Sequence, residues 1–241
     1  MTRPTLVLVH GFMGGSAQWA AVEPALSEAF KLIAVDLPGF GARCDEAPLT
    51  QIGAYADWVA AHLTQAGVTR YHLLGHSMGG MIAQEIARRD ASRIARLVLY
   101  ATGPTGVLPG RFEPIATSKA RAEAEGAEAT ARRIAATWFL AKEAAPGYPA
   151  CADIAAVSRL PAIRAGLDAM AAWDGVHALA QITQPTLILW GDQDRTYDWH
   201  QIELLWTRIP QTRLAVVPDC AHAVHAEAPD LFAAHLKRYL L

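Results

Sequence analysis

An alternation constrains this chain more than any other feature. Short aliphatic and β-branched runs recur at 5–9, 32–35, 71–74, 97–100, 186–190 and 214–217, with amphipathic segments at 51–65, 78–88, 200–207 and 230–240. Strands that read as nearly continuous apolar runs are covered on both faces, and strands separated by helical patterns pair in parallel through crossovers. The expected class is α/β, a parallel sheet with helices on both sides. The rhythm fails once, between 103 and 180, where Ala-rich helices are expected over 128–142 and 162–173 and no strand-like run occurs. That interval reads as a helical insertion, giving a first core part at 1–102, the insertion at 103–180 and a second core part at 181–241. A length of 241 residues suits one such domain. With 52% apolar and 18% charged residues the chain is too hydrophobic for disorder.

Composition also removes whole classes of function. The formal net charge is −2 and the basic residues are scattered, so the phosphate-neutralising patch of a nucleic-acid binder is missing. No apolar run approaches the roughly 20 residues of a membrane span. The Met-Thr-Arg-Pro start leads straight into the run at 5–9 without the apolar stretch of a signal peptide, so the cytoplasm is the expected compartment. Cys44, Cys151 and Cys220 have no C-x-x-C spacing and read as reduced thiols rather than a disulfide or zinc framework. No histidine and carboxylate spacing matches a metal set, so neither metal nor cofactor is expected. The expected partner is a small-molecule substrate, and the oligomeric state stays open.

The strongest local motif is Gly75-His76-Ser77-Met78-Gly79-Gly80, directly after one strand and directly before a helical pattern. It fits the G-x-S-x-G elbow, a turn so sharp that side chains at Gly75 and Gly79 would collide and the serine is lifted clear of the sheet. A serine hydroxyl needs a base to take its proton and a third group to orient that base. Both are available downstream at strand ends. Asp192 and Asp194 follow the strand at 186–190, and His222 and His225 follow the strand at 214–217. In a parallel sheet these loops open on the same edge as Ser77.

With His10-Gly11-Phe12 after the first strand, Asp36-Leu37-Pro38-Gly39-Phe40-Gly41 after the second, the elbow, Gly191–Asp194, and His222 followed by Glu227-Ala228-Pro229, the chain resembles the α/β-hydrolase superfamily over nearly its whole length. The resemblance implies a reduced sheet of about six parallel strands, without the two that precede the first strand in larger relatives, and a cap formed by the insertion. It assigns Ser77 as nucleophile, Asp194 as acid with Asp192 as the alternative, and His222 as base. His225 is expected at the pocket edge or surface. The backbone amides of Phe12 and Met78 are assigned to the oxyanion, His10 to bracing the oxyanion loop and His76 to packing behind the elbow. One departure is Ala221, where relatives usually carry glycine. Trp138, Phe139 and Trp173 are candidates for lining the pocket under the cap, with the cap's own core as the alternative for each. Arg111, Arg121 and Arg195 are read as solvated surface residues, with carboxylate binding as the alternative.

The activity implied is hydrolysis of a small carboxylic ester through an acyl-enzyme. Two alternatives stand beside it. The loop 37–41 and the Ser-Met-Gly elbow are similar to those of C–C bond hydrolases of dienoic oxo acids and of enol-lactone hydrolases, yet His76 and Ala223 stand where the C–C enzymes tend to have asparagine and tryptophan. A dianionic substrate of this kind would need a cationic anchor in the pocket. The other alternative is a small-ligand receptor that keeps the fold without turnover.

Overall fold

The structure is a computed structural model describing residues 3–107 and 111–241; residues 108–110 of the expected insertion lie outside the described residues. In chain order the strands are β1 (Thr5–Val9), β2 (Lys31–Val35), β3 (Tyr71–His76), β4 (Ile94–Tyr100), β5 (Thr186–Gly191) and β6 (Thr212–Val217). The helices are α1 (Glu23–Ser27), α2 (Ile52–Gln65), α3 (Met78–Arg89), α4 (Ile115–Glu125), α5 (Ala127–Ala136), α6 (Tyr148–Ala156), α7 (Leu160–Ala171), α8 (Trp199–Arg208), α9 (Val224–Glu227) and α10 (Pro229–Leu240). All strand pairings are parallel, in the order β2-β1-β3-β4-β5-β6. The six-stranded parallel sheet is thus the one the sequence predicts.

Successive side chains of each strand point to opposite faces, which divides the core in two. Val7, Val9, Leu73, Leu97 and Leu99 face one layer with Tyr55 and Val59 of α2, Met81 and Ile82 of α3, and Leu205 of α8. Leu6, Leu8, Leu74, Val98 and Leu189 face the other with Leu26 of α1 and Phe232 and Leu236 of α10. Each such side chain contributes about 1.5–3 kcal/mol through burial.

The chain leaves β1 toward β2 on one side and returns to β3 on the other. At such a reversal the following loops separate and open a crevice at the carboxyl edge of the sheet. The loop carrying Gly11 and Phe12 and the turn carrying Ser77 flank that crevice. The 103–180 interval is helical, α4 to α7, and no strand is found there among the described residues. Its helices differ in extent from expectation. The single helix expected over 128–142 stops at Ala136, where Thr137 caps it and the chain turns through Trp138 and Phe139. The one expected over 162–173 runs as Leu160–Ala171, with Pro161 in its first turn, where a missing N–H costs nothing.

Candidate active site

Ser77 stands between the last residue of β3 and the first of α3, with φ 54° and ψ −120°. A non-glycine residue held in that region is strained, and its surroundings enforce it. The Ser77 N–H donates to the Tyr100 carbonyl at 3.0 Å, and its own carbonyl accepts from Thr102 Oγ1 at 2.7 Å. The glycines are sterically required. A Cβ on Gly75 would lie 2.1 Å from the Gly79 carbonyl oxygen, and one on Gly79 would lie 2.5 Å from the carbonyl oxygens of Val9 and His10.

Asp194 and His222 arrive from the ends of β5 and β6. Asp194 Oδ2 lies 2.9 Å from His222 Nδ1, with both side chains buried. A carboxylate only accepts, so Nδ1 carries a proton, and in the neutral imidazole Nε2 is then the acceptor. Asp194 Oδ1 accepts from the N–H groups of Thr196 at 2.7 Å and Tyr197 at 3.3 Å, so the loop itself orients the carboxylate. Asp192 is exposed. Ala221 in the adjoining turn has no left-handed strain; its N–H donates to Glu227 Oε2 at 2.6 Å, and Asp219 takes the positive φ of 54°.

Ser77, His222 and Phe12 line one cavity, about 690 Å³ with its mouth included. Its walls are mainly apolar and come from both core and insertion: Phe112, Ile115, Ile134, Trp138, Ile154 and Met170 belong to the latter. The amide N–H groups of Phe12 and Met78 have no protein acceptor among the described residues. Behind the Phe12 loop, the Leu37 N–H donates to His10 Nε2 at 3.0 Å, which leaves His10 Nδ1–H to donate to the Gly11 carbonyl at 2.7 Å. Burial pushes the His10 pKa down to about 4, so the imidazole is neutral and its two bonds are fixed.

A second layer holds His222 through its carbonyl. That oxygen accepts from His76 Nε2 at 3.3 Å and from the Tyr100 hydroxyl at 3.1 Å. His76 Nδ1 accepts from the Gln18 side-chain amide at 3.2 Å. Burial, and then the neighbouring imidazoles of His222 and His225, hold the His76 pKa well below the ordinary imidazole value. The His76 ring centroid lies 4.5 Å from Tyr100 and 4.7 Å from His222. His76 therefore does more than pack behind the elbow.

The remaining candidates divide among cavity, core and surface. Of its two expected places His225 takes the pocket and not the surface: it is buried, lines the cavity and bonds the Tyr100 hydroxyl through Nδ1 at 2.9 Å. Of the three aromatic candidates, Trp138 lines the cavity, and its carbonyl accepts from the Ala223 N–H at 2.9 Å. Phe139 turns away into a small cluster with Ala145, Cys151 and Ala223. Trp173 points to α3, where its Nε1–H donates to Glu85 at 3.0 Å. Arg121 is ion-paired to Glu113 and Glu125, and Arg195 donates to the Leu140 carbonyl at 3.4 Å. Arg111 is not a solvated surface residue. It is half-buried in the cavity wall. Cys151, read from sequence only as a reduced thiol, also lines the cavity, and burial pushes its thiol up to about 11. Sequence reasoning missed Tyr197, a buried cavity residue whose ring stacks on His222 with the centroids 5.7 Å apart. Its position three residues after Asp194 was the available signal.

Comparison with known proteins gives the family. The family model described as "Alpha/beta hydrolase family" matches residues 6–235. A pimeloyl-[acyl-carrier protein] methyl ester esterase of Aromatoleum aromaticum is 31% identical, over 95% of this chain and 95% of its own length. The crystal structure of the enol-lactonase from Burkholderia xenovorans LB400 superposes with a TM-score of 0.90 at 25% identity, covering 100% of this chain and 92% of that one. A thermophilic esterase from Thermogutta terrifontis gives 0.88 at 26% identity, covering 99% and 90%. The ligand-receptor alternative gives way: the chain belongs to the α/β-hydrolase family and is an enzyme, a hydrolase.

Proposed function

We propose that this hydrolase cleaves small carboxylic esters through an acyl-enzyme, with Ser77 as nucleophile, His222 as base and Asp194 as orienting acid. The observation that carries the reading is the convergence of three strand ends: the elbow serine, and a buried imidazole whose Nδ1–H is held 2.9 Å from a carboxylate, beside one cavity. Ser77 Oγ attacks the ester carbon while its proton passes to His222 Nε2. The negative oxygen is met by the N–H groups of Phe12 and Met78, each contributing roughly 3–4 kcal/mol in the transition state. Collapse expels the alcohol, which takes the proton from His222. Water, deprotonated by the same nitrogen, then attacks the acyl-enzyme and releases the acid. Asp194 stays ionised and stabilises the imidazolium. The 103–180 segment serves as a cap that keeps bulk water from the intermediate.

An enol lactone is a cyclic ester and would pass through the same steps; likeness to the Burkholderia enol-lactonase favours it as the second reading. Work on a small molecule in the cytoplasm completes the proposal. The three unpaired cysteines suit a reducing compartment, and no helix among the described residues is long and apolar enough to cross a membrane.

The test is labelling with a fluorophosphonate, followed by turnover of short esters, thioesters and lactones. Ser77 should be labelled stoichiometrically, and Ser77→Ala should lose both labelling and turnover. Folded wild-type protein that resists labelling, or Ser77→Ala protein with wild-type turnover, would sink the covalent mechanism.

A further inference from the structure

The cavity contains one feature that ester chemistry at Ser77 does not use. Among its lining residues Arg111 is the only Lys or Arg, and none is Asp or Glu. The two lining histidines outside the proposed machinery do not add charge, because burial holds His76 well below the ordinary range and His225 down at about 3. The enclosure therefore carries a single fixed positive charge within largely apolar walls.

Among the described residues no carboxylate forms an ion pair with that charge, and Glu113 acts on it only from a distance. Arg111 Nη1 donates to the Glu113 carbonyl and to Ser118 Oγ, and its guanidinium lies 4.2 Å from the centre of the Phe112 ring. Among the described residues its Nε and Nη2 have no acceptor, and it forms no ion pair. The nearby Glu113 carboxylate is already engaged by Ser118, Arg121 and Arg133. Other arginines of the insertion are matched: Arg132 by Glu128 and Asp153, Arg133 by Glu113 and Glu125, Arg159 by Asp45, and Arg164 by Glu123. Burial lowers the Arg111 pKa without bringing a guanidinium near deprotonation. A half-buried cation in the wall of the cavity that holds the expected nucleophile, with two donor nitrogens lacking an acceptor among the described residues, suits an anion. The planar fork of those nitrogens matches a carboxylate.

We propose that Arg111 binds a free carboxylate of the substrate, so that the esters this pocket selects are half-esters of short dicarboxylic acids or their cyclic equivalents. The proposal rests on the serine-hydrolase reading for the reaction, but not for the binding. When such a substrate is seated, its ester carbonyl lies at Ser77 and its carboxylate at Arg111, while the methylenes between them cover Phe112, Ile134 and Met170.

The experiment compares monomethyl with dimethyl esters of succinic, glutaric and adipic acid, and measures glutarate binding by calorimetry. Wild-type protein should show a higher kcat/KM for a half-ester than for its diester. Arg111→Met should lower that ratio about tenfold or more, the size of a lost charge-assisted hydrogen bond. Arg111→Lys should retain part of it. Arg111→Gln keeps a donor for the Glu113 carbonyl and removes the charge, so it separates lost recognition from lost folding; it should behave as Arg111→Met does. A ratio unchanged in folded Arg111→Gln, or a wild-type preference for diesters, overturns the proposal. If no ester turns over and Ser77 resists labelling, the hydrolytic reading has failed and calorimetry decides Arg111 alone. Glutarate binding lost in Arg111→Gln would support the site, and no binding to wild type at millimolar concentration would overturn it.

Discussion

Asp194 shows how much one side chain has to do here. One carboxylate oxygen faces His222 Nδ1 at 2.9 Å while the other accepts two backbone N–H groups of its own loop. Asp194→Asn keeps an oxygen for the loop but presents an amide to the imidazole, which then holds its proton on the wrong nitrogen. We expect kcat to fall by about 10⁴, the loss known for the equivalent change in the serine protease triad, with an unaltered thermal melt. Asp192→Asn, on an exposed side chain, is the control. Near-normal activity in Asp194→Asn together with an inactive, folded Asp192→Asn would transfer the acid to Asp192. At this scale the sequence was legible wherever role follows from chain order. It was illegible for Arg111, Tyr197 and His225, because nothing local to those residues says which distant wall they will face.

Between elements, the short helix α9 supplies the main polar link from the proposed cap to the His222 loop. Glu227 accepts the Leu140 N–H with one oxygen and the Ala221 N–H with the other, each at 2.6 Å. It thereby fixes the turn preceding His222 against the turn that follows Trp138. Removing the carboxylate leaves both amides without a partner, and groups that lose a partner exchange with solvent more readily. Glu227→Ala should speed hydrogen exchange at the Leu140 and Ala221 amides by about tenfold or more, and Glu227→Gln should restore most of the protection. Exchange at both amides unaffected by Glu227→Ala would show that packing and the Ala223–Trp138 backbone bond hold the two turns without the carboxylate. The pairing could not be read from sequence because 87 positions separate Leu140 from Glu227. The strands and sheet-covering helices could, since each declares its own period.

For the molecule as a whole, buried histidines set a limit on acid stability. Burial depresses the pKa of His10 and of His72 to about 4 and of His225 to about 3, and holds His76 well below the ordinary value. In the unfolded chain each returns to about 6.5. Between those values the unfolded state binds more protons, so stability falls as pH drops. It is fully present above about pH 6.5 and lost progressively toward pH 4, each histidine contributing at most about 1.4 kcal/mol per pH unit. Urea unfolding midpoints across this window should fall steadily, and His225→Phe should flatten the slope. A midpoint that does not change from pH 7 to 4.5 would show that these imidazoles open to water without unfolding.

Sequence alone determined the parallel sheet, the serine elbow and the strand ends from which Asp194 and His222 emerge. These follow from period, from the steric demand of glycines at fixed offsets, and from the rule that strand-end loops of a parallel sheet share one edge. Tertiary structure decided what surrounds that edge. The insertion's helices carry similar Ala-rich faces, and no local rule says that Trp138 turns inward while Phe139 and Trp173 turn away. Nor does any local rule leave Arg111 without an ion pair among the described residues while Arg121 and Arg133 share the carboxylate of Glu113. Long-range packing makes those choices, because which side chains meet is set when the helices assemble around the cavity and not along the chain.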